Sequence, residues 1–450
     1  MREFRCTAAA CGIGLIAACG EGATAPEEFA SIIFVNADVV TMAPDGREAE
    51  GIAIGKDRVL SVGSRSELMR LVGPRTHVID VGGRTIVPGI VDAHTHLFND
   101  AEQYLNLDLA GAQALALENG ITTLGDLFVT EEFVAAMKAF EASGALKIRT
   151  SLYLIHTDNC GVERAGTWWT AYPPTRRFGE RLRIGGIKLF ADGGTCGRPA
   201  VSVEFEPGSG LGDLFLSAEA ITTVVATAEE TGHQVVIHAS GDRAVAAAQD
   251  GIGRALEGRP NTRRHRIDHN SLVPPDLIAR YAAIGIHPVL FGWRSMGGAC
   301  PPPTPAEFYQ AYWGNTRLLL DELPELHVAW HGDDPWVGPV SPFGELHNMV
   351  TRVRRLDDGT ECPPPDWQLH TRITAAEGLR MMTWNSAFAL FREEEVGSLE
   401  PGKLADLILV TADPRHVEPQ VLWSLQALVT MIGGEVVFCR EGHEALCPIQ

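Results

Sequence analysis

The sequence predicts an α/β fold, a (β/α)8 TIM-like barrel that carries a small β-sandwich domain built from both chain ends. Three observations predict this fold. The central residues 85–392 alternate eight short apolar runs with amphipathic helical stretches. Residues 32–81 and 396–440 consist of short alternating runs that are broken by turns. Polar or ionisable side chains follow several of the central runs, where a parallel barrel gathers its chemistry.

The composition argues against a polyanionic partner and leaves a small-molecule partner open. The chain has 450 residues, with 37 Lys and Arg against 57 Asp and Glu, and its formal net charge is −20. The field of such a chain repels nucleic acid and anionic lipid, so we expect neither as a partner. The length is sufficient for one large domain with an appendage or for two to three ordinary domains. No oligomeric state is predicted.

The N-terminus is typical of a bacterial lipoprotein signal. Residues 1–18 combine the basic Arg2 and Arg5 with a small, apolar run, and Cys19 follows. We expect cleavage before Cys19, acylation of its thiol, and an exported periplasmic or cell-envelope protein that residues 19–31 tether to a membrane. The alternative is a soluble protein with an apolar leader. No later segment reaches about 18 apolar residues, so this anchor is the only membrane contact that we expect.

The remainder divides into residues 32–84 as the first part of the β-sandwich, residues 85–392 as the barrel, and residues 393–450 as the second part of the sandwich. The predicted barrel strands are Thr85–Asp92, Ile121–Asp126, Ile148–Ile155, Ile184–Phe190, Gln234–Ile237, Arg266–Asp268, Ile286–Phe291 and His327–Trp330. The predicted helices include Glu131–Ser143, Ser217–Thr231, Arg243–Leu256, Pro275–Ala283 and Thr374–Phe391. A doubly wound open sheet is the alternative, but no glycine-rich phosphate turn follows the first strand.

Six cysteines follow the leader, and an oxidising compartment permits them to form disulfides. Cys439 and Cys447 are the closest pair in sequence, and the connectivity is left open. None of the six has the C-x-x-C spacing of a zinc ribbon. They are Cys160, Cys196, Cys300, Cys362, Cys439 and Cys447.

The first barrel strand ends in His94-Thr95-His96. Strand alternation places residues i and i+2 on one face, so both imidazoles are expected to point into the same space. Read alone, this spacing is equally compatible with a polar strand end that only makes hydrogen bonds.

Later strands also end in candidate ligands. Lys188 lies inside an apolar run, just before Asp192. Burial of its charged amine is costly unless the amine is paired or chemically altered. Its two interpretations are an ion-paired or snorkelling lysine, with Asp192 opening a turn, and a carboxylated lysine that bridges two divalent metals. His238 and His269 end the fifth and sixth runs, and Asp333 follows the eighth, where it could bind a metal and take a proton from water. Such an N/O donor set suits zinc, iron or manganese better than calcium or copper.

Together these segments resemble the amidohydrolase superfamily and, within it, amidohydrolase family 3, the YtcJ-like group. The resemblance covers nearly everything from about residue 32 to 440. Its segments run from Gly83 to Leu97, Gly120 to Asp126, Lys188 to Gly193, His238 to Val245, His265 to His269 and Gly397 to Leu407.

The resemblance implies a metal centre at the carboxyl ends of the barrel strands, with two zinc ions expected and iron or manganese as alternatives. By position, one metal is held by His94 and His96, the second by His238 and His269, with Lys188 as the bridge and Asp333 as ligand and general base. Asp242 and Arg243 are interpreted as supporting residues at a helix start. The residues predicted to face the substrate are Gly193, Arg198 and Trp293.

One departure from the family affects the expected pocket. Family members carry a large insertion after a segment like Leu107–Ala112, whereas this chain reaches Gly120 almost at once. The aromatic stretch Phe291–Leu320 is therefore expected either to cover the mouth of the pocket or to form a surface loop packed by its own aromatic rings.

The leading hypothesis is hydrolysis of a non-peptide C–N bond, in an N-acyl, N-formyl or cyclic amide, with a metal-activated hydroxide as nucleophile. Deamination of a ring amidine, with one metal and an unmodified Lys188, is a second enzymatic alternative. A non-catalytic, lipid-anchored binding protein on the same scaffold is the third.

Overall fold

A computed structural model describes residues 29–447 except 165, 195, 293–299, 301–303 and 356–358. The signal segment, the Cys19 anchor and Trp293 lie outside the described residues, so these expectations stay predictions. Among the described residues we find no helix with the length and hydrophobicity of a membrane span.

The first part of the chain contributes a helix, α1 (Arg65–Leu68), and five strands: β1 (Ala30–Val40), β2 (Glu48–Ile54), β3 (Val59–Gly63), β4 (Val72–Asp80) and β5 (Thr85–Pro88). The barrel strands follow as β6 (Ile90–Thr95), β7 (Ile121–Val129), β8 (Arg149–Ile155), β9 (Leu182–Phe190), β10 (Gln234–Ala239), β11 (Arg266–His269), β12 (His287–Phe291) and β13 (Ala329–His331). The last strands are the two-residue pair β14 (Arg354–Arg355) and β15 (Glu361–Cys362), then β16 (Leu407–Val410), β17 (Ala427–Ile432) and β18 (Glu435–Cys439).

The helices after the first are α2 (Ala101–Leu105), α3 (Leu109–Glu118), α4 (Glu131–Ala142), α5 (Ala218–Thr231), α6 (Asp242–Leu256), α7 (Pro275–Ile284), α8 (Glu307–Tyr312), α9 (Thr316–Glu322), α10 (Pro342–Thr351), α11 (Ala375–Arg380) and α12 (Ser386–Ala389). Several begin at side-chain caps that satisfy exposed backbone N–H groups. Thr130 caps α4 and Ser217 caps α5, each accepting from the backbone three residues later.

The eight strands β6 to β13 are hydrogen-bonded in chain order, and each neighbouring pair is parallel. The backbone N–H of Asp333 donates to His94 O at 3.1 Å, and that of His96 donates to Asp334 O at 2.8 Å. These two bonds link the segment that follows β13 to the end of β6, so the sheet is nearly closed. The predicted barrel is therefore confirmed.

Both chain ends build the second unit, as predicted. Its strands follow the order β18-β17-β16-β5-β1-β2-β3. Strand β4 pairs with residues 30–35 of β1, on the same edge where β5 pairs with Asp38 and Val39. The N-terminal and C-terminal parts meet where β5 pairs antiparallel with β16. Because this junction is hydrogen-bonded, the unit is one continuous sheet in the described residues.

The predicted first strand, Thr85–Asp92, is two strands in the structure. Thr85–Pro88 belongs to the end sheet and Ile90–Thr95 to the barrel. The break falls at Gly89, where a Cβ would come within 2.1 Å of Thr122 Oγ1. The chain therefore crosses from one sheet to the other where only glycine fits.

The predicted last helix, Thr374–Phe391, is interrupted by a π-helical turn at Met381–Asn385. Two side chains here bond the last barrel strand and the residue before it: Asn385 Nδ2 donates to Val328 O, just before β13, at 2.8 Å, and Ser386 Oγ, just after the turn, donates to Trp330 O in β13 at 3.0 Å. The wider turn accompanies these contacts with the barrel. The hydrophobic period of a helix does not depend on such contacts, so the sequence did not predict the interruption.

All six cysteines that follow the leader are paired. The bonds are Cys160–Cys196, Cys300–Cys362 and Cys439–Cys447. The pairing of Cys439 with Cys447 agrees with their closeness in sequence, whereas the other two bonds span 36 and 62 residues.

Candidate metal centre

The six predicted metal-binding side chains all lie at the carboxyl ends of barrel strands and are all buried. They occupy β6, β9, β10, β11 and the segments that directly follow β6 and β13. Their exposed fractions are His94 1%, His96 1%, Lys188 0%, His238 6%, His269 8% and Asp333 7%.

Four of these side chains form the densest part of the site. Asp333 Oδ1 lies 3.2 Å from His94 Nε2 and 3.3 Å from His96 Nε2. The two Nε2 atoms are 3.3 Å apart, and Lys188 Nζ is 3.3 Å from His94 Nε2. The structure thus brings the H-x-H pair, the lysine and the aspartate to one point.

A second group lies beside the first. The ring centroids of His238 and His269 are 4.2 Å apart, and those of His94 and His269 are 4.9 Å apart. His331 also belongs here, since its ligand atoms and those of His94 and His269 lie within 4.8 Å of one another. Sequence reasoning did not select His331. The signal was the spacing His331-Gly332-Asp333, the same i, i+2 relation that selected His94 and His96.

The site fits a divalent metal. Among the described residues, His269 Nε2, His96 Nδ1 and both ring nitrogens of His331 have no hydrogen-bond partner. Buried polar atoms without partners are costly and uncommon in folded proteins. Imidazole nitrogens together with a carboxylate form the N/O donor set that zinc binds. A bound metal would satisfy these atoms.

His94 is oriented by a buried ion pair. Its Nδ1 lies 2.8 Å from Asp268 Oδ2, which leaves Nε2 directed at the cluster. Arg266 holds Asp268 in turn, with Nε at 3.1 Å from Oδ1, and donates to Ala93 O at 2.8 Å. The sequence places Asp268 in a motif but indicates no role for it.

His238 is held by the turn that follows β9. Its Nε2 lies 3.4 Å from Asp192 Oδ1 and 3.3 Å from the carbonyl oxygen of Gly193. Asp192 also accepts from the backbone N–H groups of Ser240 at 3.0 Å and Gly241 at 2.8 Å. Asp192 therefore fixes both the turn and the ring of His238.

The predicted substrate residues have different positions. Gly193 lies at the site through its carbonyl oxygen, and a Cβ there would come within 2.5 Å of the backbone of Arg198. The side chain of Arg198 is exposed and donates to Ser209 O. A substrate contact of either residue stays a prediction. The supporting role predicted for Asp242 agrees with its bond from the Ser202 N–H at 2.8 Å.

Burial sets the protonation states of the cluster. It lowers the pKa of Lys188 to about 8 and that of His331 to about 3, and it holds the pKa values of His94 and His269 well below the usual range. Burial also opposes the charge of Asp333, but the hydrogen bond with His96 and nearby positive groups outweigh it and lower the pKa of Asp333 to about 2. Neutral imidazoles and an ionised carboxylate are the forms that bind a metal.

Aromatic rings border the site on the side of His96. The Trp336 ring lies parallel to the imidazole of His96 at 3.8 Å, and its Nε1 donates to Asp100 Oδ2 at 2.6 Å. The ring centroids of Phe128 and Phe190 lie 5.4 and 6.4 Å from that of Trp336. Sequence reasoning missed these three rings, because nothing in their local spacing connects them.

The described part of the aromatic stretch 291–320 packs largely on itself and on a neighbouring loop. Tyr309 and Trp313 are buried in a small cluster with Val201 and Leu272. Tyr309 also donates its hydroxyl to Val203 O. These contacts agree with the alternative of a loop packed by its own aromatic rings.

A family model described as the amidohydrolase family matches residues 101–438. Among curated proteins, YtcJ of Bacillus subtilis is 25% identical over 331 residues, which cover 70% of this chain and 57% of that protein. An N-substituted formamide deformylase of Arthrobacter pascens is 24% identical over 337 residues, covering 72% and 58%. A 5-methylthioadenosine/S-adenosylhomocysteine deaminase of Desulfovibrio desulfuricans is 25% identical over 453 residues, covering 91% and 93%. The chain thus spans 57 to 61% of the length of the first three curated relatives.

Solved structures share the fold. An uncharacterised metal-dependent hydrolase from Pyrococcus furiosus superimposes with a TM-score of 0.66 at 19% identity, covering 85% of this chain and 99% of that one. Atrazine chlorohydrolase TrzN from Arthrobacter aurescens, complexed with zinc, gives a TM-score of 0.59 at 18% identity, covering 91% and 95%.

Proposed function

The chain belongs to the amidohydrolase family, and we propose that it is a metal-dependent hydrolase of C–N bonds other than peptide bonds. Its substrate is a small N-acyl, N-formyl or cyclic amide. The observation that carries the proposal is the approach of Asp333 Oδ1 to within 3.3 Å of both His94 Nε2 and His96 Nε2.

We propose two zinc ions, with iron or manganese as alternatives. A divalent metal supplies Lewis acidity that polarises an amide carbonyl and lowers the pKa of water to about 7. The residues that would hold it are His94, His96, His238, His269, Asp333 and a modified Lys188. The zinc complex of TrzN, which shares the fold, is compatible with this choice.

Asp333 is proposed as the general base. Its low pKa keeps it ionised at neutral pH, and its position in the cluster lets it take the proton of an attacking water and pass it to the departing nitrogen. Its ring contacts with His94 and His96 fix the carboxylate in place.

Lys188 is proposed to be carboxylated. A pKa of about 8 leaves part of the amine neutral at neutral pH. The neutral nitrogen attacks CO2, an N–C bond forms as one C=O π bond opens, and the N–H proton passes to water, which gives a carbamate anion. The carbamate replaces a buried positive charge beside imidazoles with two oxygen donors.

Deamination of a ring amidine is the second candidate. The match to a deaminase over 91% of this chain and 93% of that protein favours it. It requires one metal and an unmodified Lys188, so metal count and lysine mass separate the two reactions.

The test uses zinc-loaded protein and a panel of N-formyl amines, N-acyl amines, lactams and ring amidines. We expect turnover of an amide, two metals per chain by elemental analysis, and an adduct of roughly 44 Da on Lys188. Asp333→Asn should lower kcat by about 100- to 10,000-fold, the range of general acid–base effects.

The exposed Asp213→Asn variant controls for the loss of a carboxylate elsewhere. Ammonia release from an amidine by a protein with one metal and unmodified Lys188 would select the deaminase. No turnover across the panel, with ligand binding unchanged in Asp333→Asn, would select a binding protein.

A further inference from the structure

We propose that His331 is an additional metal ligand in this chain and completes the set for the second metal beside His269. The inference rests on the proposed metal-dependent function. It assigns a role to a fifth imidazole, which the sequence motifs did not indicate as a ligand.

The first support is the burial of an unpartnered ring. His331 is 0% exposed, and neither of its ring nitrogens has a hydrogen-bond partner among the described residues. A buried histidine outside the cluster is satisfied: His265 Nδ1 accepts from Val235 N at 3.0 Å, and its Nε2 lies 2.9 Å from Glu229 Oε1. His331 therefore has unsatisfied buried ring nitrogens, which a bound metal would satisfy.

The second support is the position of the ring. Its centroid lies 4.7 Å from that of His94, with the planes at 22°, and 4.7 Å from that of His269, with the planes at 82°. Ligand atoms of the three rings lie within 4.8 Å of one another, close enough to share an ion.

The backbone at this position is fixed. His331 ends β13, its carbonyl accepts from Gly292 N at 3.1 Å, and the preceding residue, Trp330, is bonded by Ser386 Oγ at 3.0 Å. Asp333 follows two residues later and takes part in the first group. One short segment thus supplies a ligand to each group.

The limited capacity of His94 explains why His331 would be needed. Its Nδ1 is engaged by Asp268 at 2.8 Å, so only Nε2 is available to a metal. If Nε2 joins His96 and Asp333, it is lost to the group around His269. His331 then replaces it, together with His238, whose ring centroid lies 4.2 Å from that of His269.

The experiment measures metal binding rather than turnover. His331→Phe keeps a planar ring of similar size and removes both nitrogens. By equilibrium dialysis with Zn²⁺ and elemental analysis, we expect one equivalent to be lost or bound at least about 100-fold more weakly, since even an outer partner of a ligand is worth ~10- to 100-fold. His287→Gln is the matched control. His287 begins β12, at the end of the strand opposite the site, and its Nδ1 lies 2.9 Å from Leu326 O.

A second variant gives a direct signature. In His331→Cys loaded with Co²⁺, a thiolate ligand should produce a sulfur-to-cobalt charge-transfer band, which the parent protein and the His287→Cys variant should lack. The band would still support the ligand role of His331 if His331→Phe failed to fold.

The outcomes separate the two proposals. A parent protein that binds no metal would overturn the proposed function itself. A parent that binds two metals, with His331→Phe binding both at unchanged affinity and no band in His331→Cys, would overturn only the ligand role of His331 and leave it as a core histidine satisfied by trapped water.

Discussion

Asp268 shows how one carboxylate can orient a candidate metal ligand without itself joining the cluster. It lies 2.8 Å from His94 Nδ1 and is itself 0% exposed. Its other oxygen lies 3.1 Å from Arg266 Nε. This chain of contacts selects the tautomer of His94 that turns the lone pair of Nε2 toward the cluster.

The variant Asp268→Asn tests this role. It keeps the shape of the side chain but removes the charge that orients His94, so we expect metal affinity to fall by about 10- to 100-fold. Competition with a chelator measures the change. The exposed Asp276→Asn, at the start of α7, is the control. Equal affinities in both variants would contradict the role given to Asp268.

A site residue can be predicted from the sequence when local spacing places it at the site. His94 and His96 share a face by strand alternation, and the same rule would have paired His331 with Asp333. Asp268 reaches His94 across 174 residues, so no local spacing could reveal the contact. Trp336 likewise meets His96 only because the barrel closes between its first and last strands.

At the scale of elements, a disulfide joins the loops that follow β8 and β9. Cys160 and Cys196 are separated by 36 residues, and the second loop also carries Gly193, whose carbonyl lies 3.3 Å from His238 Nε2. The bond thus restrains the segment that positions His238.

Replacing both cysteines by serine should therefore destabilise the fold and loosen the metal site. The lost restraint on the unfolded chain corresponds to about 3–4 kcal/mol. Denaturant unfolding measures the stability, and dialysis with Zn²⁺ measures the site. The control is the Cys439→Ser/Cys447→Ser pair, which closes only 8 residues and is expected to cost about 2–3 kcal/mol with metal affinity unchanged. Metal affinity unchanged in both double variants would contradict the link.

The elements themselves were largely predictable, since period and capping are local properties. Helices α4, α5, α6 and α7 begin and end within one residue of their predicted bounds. The break at Gly89 was not predicted, because it depends on the approach of Thr122 from the neighbouring strand. The interruption at Met381–Asn385 likewise accompanies bonds to β13.

For the whole molecule, the barrel and the end sheet are joined by a buried ion pair. Arg149, at the start of β8, donates from Nε to Asp406 Oδ2 at 2.7 Å and from Nη2 to Oδ1 at 3.0 Å. Their side chains are 3% and 1% exposed. Asp406 directly precedes β16; its backbone carbonyl accepts from Gly89 N, and its Oδ1 also accepts from Gly433 N. One residue therefore connects the crossing point, the end sheet and the barrel.

Asp406→Asn should cost about 3 kcal/mol of unfolding free energy, at the lower end of the ~3–5 kcal/mol expected when one member of a buried pair is removed. The loss arises because the guanidinium of Arg149 stays buried without a counter-charge, although Gly179 O still accepts from it at 3.2 Å. Denaturant unfolding monitored by tryptophan fluorescence measures the change.

The same interface offers a matched control. Lys147 Nζ lies 2.9 Å from Glu435 Oε1, but their side chains are 36% and 35% exposed. Water screens this pair, so Glu435→Gln should change stability by only about 0–1 kcal/mol. The double replacement Arg149→Met/Asp406→Leu should recover much of the loss, since it removes both buried charges together. If Asp406→Asn and Glu435→Gln cost the same, the buried pair does not hold the two sheets together, and the apolar contacts between them must do so.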